Sequence, residues 1–463
     1  MTSRRSPGVA AFLSFLWPGL GQLFSGRRVW ALLFALPAVA LVVPVVYEAV
    51  NQGPIVFAAR FAVASLCLVA VALIVVFGLL RIASVLHAYL TADPNRVRGR
   101  VNLGILAILL VGIVGMHGYG TVVAWSTYQM DSQVFSNGEF SIVPDPSDTP
   151  AASVLPKPTE MPTSSATPTP KSPRITIMLL GMSANEYATD SINVLSIDPE
   201  TKQVSIVNVI RDTITFPLYW GGTSPANVCN SSFRLTYFLK FSASRSGCFQ
   251  TPDKPMRALE NEVGYLVGVH IDYYALMYFD GFVNIVKNLP AGNGQPKGKL
   301  CVNNPTVISS PTYDWPDSNK FGFYLSAGYH CLDGRNALAY ARDREGYTGG
   351  AGQITRGQRQ QQVLVELFKR LKALGAGDMP KMEGLIGKAA KTDFPPEKVA
   401  DMAAIGQGIS PDNISSYVLG WPKYMVSAGR PCLMLDRVAP LSVQLYGEDS
   451  RYYNVTQPPN CSS

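Results

Sequence analysis

Residues 189–213 read TDSINVLSIDPETKQVSIVNVIRDT. Two β-rich runs, Ser191–Ser196 and Val204–Val209, flank the turn sequence Asp198–Lys202, and this pattern predicts two strands joined by a short connection. The second run is followed by Ile210 and then by Arg211. The stretch therefore predicts part of a β-sheet that carries a cationic side chain where a strand ends.

Further elements are predicted on both sides of this unit. They are the strands Ile175–Leu180 and Ala337–Arg344 and the helices Lys254–Val267, Phe279–Lys287 and Gln358–Leu374. Strands that alternate with helices predict an α/β sandwich with a central mixed sheet. No GxGxxG sequence follows the first strand, so a doubly wound dinucleotide-binding fold is not expected.

The N-terminal part of the chain is predicted to be a membrane anchor. Three stretches are apolar over about 20 residues, the length that crosses a bilayer core. They are Val29–Val50, Phe61–Leu80 and Leu103–Trp125. Gly8–Ser25 is also apolar, but Trp17, Pro18 and Gly19 would interrupt a helix there. This favours a re-entrant or interfacial segment and leaves a fourth span open.

Arginines predict how the spans are oriented. Four precede the first span, four lie near the loop between the second and third, and the remaining short loop carries only Arg60. The first group is Arg4, Arg5, Arg27 and Arg28, and the second is Arg81, Arg96, Arg98 and Arg100. By the positive-inside rule the N-terminus and the 81–100 loop are cytoplasmic, which places everything after residue 126 outside.

Composition predicts where the domains begin and end. Residues 144–173 are rich in Pro, Ser and Thr, as in an extended linker that does not fold. We therefore predict a membrane anchor at 1–125 with three or four spans, a linker at 126–173, an α/β domain at 174–420 and a C-terminal extension at 421–463. The net charge of +7 includes no Lys/Arg block, which argues against a nucleic-acid tract.

The seven cysteines divide between two environments. Cys67 lies in an apolar stretch and is interpreted as a small buried hydrophobe. The other six follow the membrane region, and an even number there suits an oxidising compartment. We predict that sequence neighbours pair, as Cys229–Cys248, Cys301–Cys331 and Cys432–Cys461. No Cys/His spacing is typical of a zinc site.

Polar residues at predicted strand ends and on one helix form a candidate anion site. They are Arg211, Arg342, Arg344, Arg356, Arg359 and Gln360. Arg342 and Arg344 would share a face of an extended strand, and Arg356 and Gln360 share a helical face. A single arginine of this kind is more often a surface ion pair. Together they predict a diphosphate site, because guanidinium groups bind phosphate oxygens in a bidentate manner and stabilise developing charge.

Five segments resemble the LytR-CpsA-Psr family, in the order found there and over roughly residues 174–420. They are IMLLG (177–181), the opening stretch (189–213), IDYYALMYFDGFVNIV (271–286), LDGRNALAYARDRE (332–345) and ITRGQRQQQVL (354–364). The resemblance implies a membrane anchor, an extracytoplasmic α/β domain and an apolar tunnel for a lipid. It also implies Mg²⁺-assisted transfer of a glycopolymer from a polyprenyl-pyrophosphate carrier to peptidoglycan or another envelope acceptor. Pro18–Gln22 resembles, more weakly, a PGLGQ signature of small bacterial membrane domains.

The resemblance also implies roles for individual residues. Arg211 matches the arginine of the PRDT motif, and Asp212 matches its aspartate, which would orient Arg211. Asp190 matches the RSDT aspartate, a magnesium ligand or catalytic carboxylate. The remaining matches would hold the pyrophosphate: Arg342 and Arg344 of YARxR, and Arg356, Arg359 and Gln360 of GRxxRQQ.

The sequence departs from the family pattern at four positions. Ser183 stands where an aspartate is usual after the first strand, and Ala188 aligns with the RSDT arginine; Gln353 and Thr355 replace the aspartate and glycine of DxGR. Fewer carboxylates weaken a Mg²⁺ site, whereas most arginines remain. Phosphotransfer is the first hypothesis, and a non-catalytic polyprenyl-phosphate-binding protein is the alternative. A nucleic-acid regulator is disfavoured by the predicted outward topology.

Overall fold

The protein was analysed as a computed structural model. The structure describes residues 6–92, 99–135, 174–182, 188–214, 216–219, 223–224, 234–244, 255–292, 294–315, 321–343, 351–372, 378–410, 413–426, 432–456 and 458. The chain forms two compact units, one of Met1–Ser132 with Pro395–Ala404 and one of Gln133–Phe394 with Ile405–Ser463.

The first unit contains the apolar helices. They are α1 (Pro7–Leu16), α2 (Leu20–Phe24), α3 (Arg28–Gln52), α4 (Pro54–Ala59), α5 (Ala64–Ala92) and α6 (Arg100–Val134). Among the described residues, α3, α5 and α6 are the helices long and apolar enough to cross a membrane. α3 and α6 contain the predicted spans Val29–Val50 and Leu103–Trp125, whereas α5 begins at Ala64, three residues after the predicted start at Phe61. All three helices are longer than predicted, because residues that flank each apolar stretch continue the helix.

The helix interruption predicted within Gly8–Ser25 is confirmed. The first helix ends at Leu16 and the second begins at Leu20, after Gly19 at φ 100°. A Cβ on Gly19 would lie 2.5 Å from the Ala31 carbonyl oxygen, so only glycine fits this left-handed turn. The buried Gln22 amide then donates to the Ser84 carbonyl at 2.8 Å, which fixes the turn against α5.

The second unit is an α/β domain. Its elements are β1 (Ile175–Met182), β2 (Thr189–Ile197), β3 (Val204–Val209), β4 (Phe216–Pro217), β5 (Thr223–Ser224), α7 (Phe238–Ser244), α8 (Pro255–Val267), β6 (Tyr273–Tyr278), α9 (Phe279–Asn288), β7 (Leu300–Asn304), β8 (Ile308–Asp314), β9 (Phe321–Leu325), β10 (Gly328–Leu332), α10 (Gly334–Arg342), α11 (Ala351–Lys372), α12 (Met379–Ala389), β11 (Ala390–Thr392), α13 (Val399–Gln407), β12 (Ile414–Leu419) and α14 (Leu435–Tyr446). α13 begins in the part of the chain assigned to the first unit, and only Ile405–Gln407 of it belong to the second.

A six-stranded mixed sheet confirms the predicted fold class. Its order is β11-β6-β1-β2-β3-β12. β1–β2 and β2–β3 are antiparallel, whereas β1–β6 and β3–β12 are parallel. Side chains alternate along β1: Met178 and Leu180 enter the core shared with α8 and α14, whereas Leu179 points to the side of α9, α10 and α11. Helices therefore cover both faces of the sheet.

The strand predicted at Ala337–Arg344 is wrong, because this segment forms most of α10. The Asp333 side chain accepts a hydrogen bond from the Asn336 backbone N–H at 2.8 Å and caps the helix. A short apolar run does not distinguish a buried strand from a buried helix. The helix ends at Arg342, so the shared strand face with Arg344 does not exist, and Arg344 itself lies outside the described residues.

The segment predicted as a C-terminal extension contributes to the core where it is described. Leu435, Val438 and Leu441 of α14 belong to the same hydrophobic cluster as Met178 and Ile192 of the sheet. The Tyr452 hydroxyl also donates to the Tyr265 carbonyl of α8. A boundary at residue 420 would thus divide one core.

The cysteines follow the prediction wherever both partners are described. Cys301 and Cys331 form a disulfide and face each other directly in the β7–β10 register. Cys67 is buried and reduced. Cys432 is disulfide-bonded. The predicted partner Cys461, and the pair Cys229–Cys248, lie outside the described residues.

Candidate active site

Asp190 is the centre of the candidate site. It lies on β2, 6% exposed, beside the point where β3 ends. Its carboxylate forms ion pairs with Arg211, which follows β3, and with Arg342, the last residue of α10, at 3.0 Å from Nη2. Three predicted site residues, two from the stretch 189–213 and one from α10, therefore converge.

Asp212 forms a second ion-pair centre next to the first. Its Oδ2 accepts from Arg356 Nη2 at 3.2 Å and lies 3.8 Å from Arg211 Nε. Its Oδ1 lies 3.6 Å from Arg234 Nη1. Arg211 thus lies between the two buried carboxylates. The orienting role that the family resemblance implies for Asp212 stays a prediction.

Arg234 was not found from the sequence. It begins a short segment whose backbone pairs with the end of β3: Leu235 N–H donates to Thr213 O and Thr236 N–H donates to Arg211 O, both at 2.9 Å. This pairing carries the half-exposed Arg234 side chain to Asp212. No local pattern around residue 234 signals the contact, because it depends on how a distant segment returns to the sheet.

Gln360 connects the elements of the site. Its carbonyl oxygen accepts from Ser191 Oγ at 3.0 Å and from Asn208 Nδ2 at 3.3 Å. Its amide donates to the backbone oxygens of Asp190 at 3.4 Å and Ala341 at 3.3 Å. With the amide used in this way, Gln360 holds α11 against β2, β3 and α10, and we interpret it as a positioning residue.

Arg359 is turned away from Asp190. It is 2% exposed, lies 3.4 Å from Asp343 Oδ2 through Nη1, and donates to the Asp343 backbone oxygen at 2.6 Å. Its guanidinium also lies over the Tyr340 ring, 5.4 Å from the centroid. Asp343, which the sequence analysis did not single out, also accepts from Ser310 Oγ. Arg359 therefore anchors the end of α10, next to Arg342.

An apolar cavity of about 90 Å³ adjoins the arginines. Arg342, Gln360 and Ser191 form its polar end. Its apolar wall comes from the sheet and from α9, α10 and α11, through Leu179, Phe279, Phe282, Leu338, Val363 and Leu364. Arg342 lies over the Phe279 ring, 4.9 Å from its centroid, so a cationic group stands at the edge of an apolar space. Such a junction suits a ligand with a charged head and a hydrocarbon tail.

The charge balance of the site favours anions. Arg211, Arg234, Arg342 and Arg356 carry four positive charges, against two negative charges on Asp190 and Asp212, which leaves a net charge of +2. Buried and partly buried charges act in a low effective dielectric, so this excess attracts phosphate more strongly than in water.

Tyr313 lies near the site. Burial raises the pKa of Tyr313, and the charge of Arg342 opposes this shift. The Tyr313 hydroxyl therefore keeps its proton at neutral pH.

A magnesium ion does not fit the described side chains as a protein-built centre. No group of three or more His, Cys, Asp or Glu side chains is arranged for a metal among the residues that the structure describes. Asp190 and Asp212 are each paired with arginines, whereas Mg²⁺ needs an octahedral set of oxygen ligands. Ser183 lies outside the described residues, and Ala188 is buried and supplies no ligand. The magnesium assignment stays a prediction.

Comparison with known proteins shows the family to which this chain belongs. Residues 156–430 match the LytR_cpsA_psr family, and the chain belongs to it. Together with three long apolar helices at the N-terminus, this membership indicates a membrane-anchored protein.

Two curated relatives are similar to the chain over part of their length. One is the polyisoprenyl-teichoic acid–peptidoglycan teichoic acid transferase TagV of Bacillus subtilis, 26% identical over 220 residues, which are 46% of this chain and 48% of TagV. The other is the regulatory protein MsrR of Staphylococcus aureus, 25% identical over 226 residues, 48% of this chain and 57% of MsrR. The chain spans about half the length of the curated relatives it matches.

Two solved structures share low sequence identity with it. The crystal structure of B. subtilis TagV covers 62% of this chain and 98% of its own, at 18% identity and a TM-score of 0.42. That of protein gbs0355 from Streptococcus agalactiae covers 62% and 92%, at 17% identity and a TM-score of 0.44.

Proposed function

We propose that this protein transfers a glycopolymer from a polyprenyl-pyrophosphate carrier to peptidoglycan or another cell-envelope acceptor, forming a phosphodiester link. One observation carries the proposal: Arg211 and Arg342 converge on Asp190 at the polar end of an apolar cavity. A pyrophosphate needs the cations, and a polyprenyl chain needs the apolar wall. Family membership and the transferase name of the relative TagV support the same reaction class.

The arginines would act mainly on charge. The acceptor hydroxyl oxygen bonds to the phosphorus next to the sugar, and the bond from that phosphorus to the bridging oxygen breaks. The polyprenyl monophosphate leaves and takes up the hydroxyl proton. Negative charge shifts to the leaving oxygens during this step, so positioned guanidinium groups lower the barrier. Asp190 keeps Arg211 and Arg342 in place, and Asp212 does the same for Arg356.

The site is proposed to face the outside of the cell membrane. The arginine distribution around the three spans predicts this orientation. The Cys301–Cys331 disulfide in the α/β domain fits an oxidising compartment. The lipid carrier would then be taken from the outer leaflet.

The transfer assay tests the proposal directly. The full chain in detergent micelles is incubated with a polyprenyl-pyrophosphate glycan and purified peptidoglycan. We expect equal amounts of polyprenyl monophosphate and a phosphodiester-linked product, measured by mass spectrometry. The same glycan on a polyprenyl monophosphate is the control, since it has no phosphate leaving group. Absence of product with the pyrophosphate donor would contradict the proposed reaction.

A second candidate function is binding of polyprenyl phosphates without turnover. The observation that favours it is the pairing of Asp190 and Asp212 with arginines, which leaves both carboxylates engaged in holding the site. This function gives lipid binding without product in the assay above. The departures from the family pattern at Ser183 and Ala188 would then explain the missing turnover. In that case the double substitution Ser183→Asp with Ala188→Arg would create transfer activity that the parent lacks.

Metal removal should leave binding of the diphosphate nearly unchanged. Because the net positive charge comes from arginines, we expect EDTA to change the dissociation constant for geranyl pyrophosphate by no more than about threefold. Calorimetric titration of the full chain with and without Mg²⁺ measures this. A loss of binding in EDTA that Mg²⁺ restores would show that a metal, rather than the arginine set, holds the diphosphate.

A further inference from the structure

A second, larger cleft lies beside the arginine site in the same α/β domain. Its volume is about 750 Å³, within the range of ligand-binding pockets. Leu338 of α10 lines both this cleft and the apolar cavity of the candidate active site. Tyr313, which also lines the cleft, lies close enough to Arg342 for its charge to act on the phenol. A molecule in the cleft would therefore lie next to a phosphate bound at the arginine site.

One wall of the cleft is aromatic and held rigidly. Tyr313 and Trp315, at the end of β8, pack edge to face with ring centroids 5.2 Å apart. Both contact Phe323 of β9, which is 4% exposed. The Trp315 indole N–H donates to the Gly322 carbonyl at 2.8 Å, which fixes the plane of the ring. Fixed aromatic faces of this kind bind flat apolar surfaces at little entropic cost.

A second wall of the cleft is polar and electrically balanced. Asp280, Asn284 and Lys287 recur on one exposed face of α9, at the spacing of helical neighbours. Asp333 and Arg335 stand at the start of α10. Two acidic and two basic side chains give this wall a net charge of zero, unlike the arginine site with its excess of two positive charges.

Close packing of α9 and α10 forms another part of the cleft lining. A Cβ on Gly334 would lie 2.5 Å from the Val283 carbonyl oxygen, so glycine lets the two helices approach. Gly334 and Val283 both line the cleft. The cleft is therefore part of the packed domain rather than a gap between loops.

We propose that this cleft binds an uncharged stretch of a glycan chain next to the phosphate that is transferred. The proposal rests on the proposed function and names part of its substrate. A sugar ring has an apolar face of C–H groups, which Tyr313 and Trp315 match, and a rim of hydroxyls that both donate and accept. Carboxylates, an amide and cations satisfy such a rim. A second polyanion is disfavoured because the cleft has no net positive charge.

The test uses two probes with the full chain in detergent micelles. Chitotetraose, an uncharged oligosaccharide, probes the cleft, and geranyl pyrophosphate probes the arginine site; both are titrated calorimetrically. We expect Trp315→Ala to weaken chitotetraose binding at least about tenfold and to leave geranyl pyrophosphate binding unchanged. Tyr324→Ala is the matched control: this aromatic residue of β9 is 68% exposed, does not line the cleft, and should leave both affinities unchanged.

Asn284→Ala covers the case in which Trp315→Ala unfolds the β8–β9 ribbon. Asn284 is exposed on α9, so its loss should weaken chitotetraose binding severalfold without a change in Tm. The inference is overturned if the unmodified chain does not bind chitotetraose. It is also overturned if the Trp315 and Asn284 variants both bind chitotetraose as tightly as the unmodified chain does. If geranyl pyrophosphate still binds in that case, the proposed function stands. If only chitotetraose binds, the proposed function fails and the cleft assignment stands.

The source of the glycan is resolved by the transfer assay. A higher KM for peptidoglycan in Trp315→Ala, with the donor KM unchanged, identifies the acceptor chain as the occupant. A higher KM for the lipid-linked donor alone identifies the glycopolymer that is being carried.

Discussion

Arg211→Ala should lower kcat/KM for transfer by about a hundredfold or more, the loss typical of removing one positioned charge donor. Arg211 contacts both Asp190 and Asp212. Its removal takes one of four positive charges from the site and leaves both carboxylates with less compensation. The net charge of the site falls from +2 to +1, so it attracts the pyrophosphate less strongly, and both binding and the chemical step are impaired.

Two further variants separate charge, geometry and folding. Arg211→Lys keeps the charge but loses the planar fork, so its activity should fall between the parent and Arg211→Ala. Lys369→Ala removes a cation from α11 that is 58% exposed and paired with Glu366, and it should leave turnover unchanged. The domain should remain folded, because Asp190 keeps Arg342 and Asp212 keeps Arg356. Near-normal transfer by Arg211→Ala would refute the assigned role of this arginine.

The second large effect concerns stability rather than catalysis. We expect the free energy of unfolding to fall as the pH rises from about 4.5 towards 8. Burial raises the pKa of Glu262 on α8 to about 8, and that of Glu260 likewise to about 8. Glu262 is fully buried, and its Oε2 accepts one hydrogen bond, from Tyr219 N–H at 3.0 Å.

The direction follows from proton linkage. A carboxyl group whose pKa is higher in the folded state binds more protons there than in the unfolded chain between pH 4.5 and about 8. Stability therefore decreases with pH in that window, by an amount on the order of 4 kcal/mol for a shift of this size. Above pH 8 the contribution of these groups is constant.

Thermal unfolding of the full chain at several pH values, in Glu262→Gln and in the parent, measures the effect. The amide is uncharged at every pH, so the decrease of Tm from pH 5 to 8 should be smaller in the variant, and smaller still when Glu260→Gln is added. Glu448→Gln changes an exposed carboxylate outside the core and should keep the parental slope. Parallel curves for the parent and the Glu262 variant would show that this group does not titrate on unfolding.

Much of the architecture could be predicted because it is encoded locally. The strands at 175–180, 191–196 and 204–209 lie within β1, β2 and β3, since β-branched runs bounded by turn residues specify strands without knowledge of their partners. The three membrane helices follow from apolar length alone. The alternation of elements then predicted a mixed sheet covered by helices, which the structure confirms.

Part of the candidate site was predictable from the sequence, but its complete membership and its ion pairs were not. Asp190, Arg211 and Arg342 meet as expected. Arg359 does not join them, because Asp343 at the end of α10 competes for its guanidinium. Arg234 joins Asp212 from a segment without a sequence signal.

The sequence by itself determined the strands β1 to β3, the apolar spans and the excess of arginine, because periodicity, apolar length and residue chemistry are local properties of the chain. Only the tertiary structure decided that Ala337–Arg342 is helical, that α14 completes the core and which carboxylate each arginine binds. These outcomes depend on burial and on distances between segments far apart in sequence. The arginine site and its apolar cavity therefore result from local patterns that long-range packing brought together.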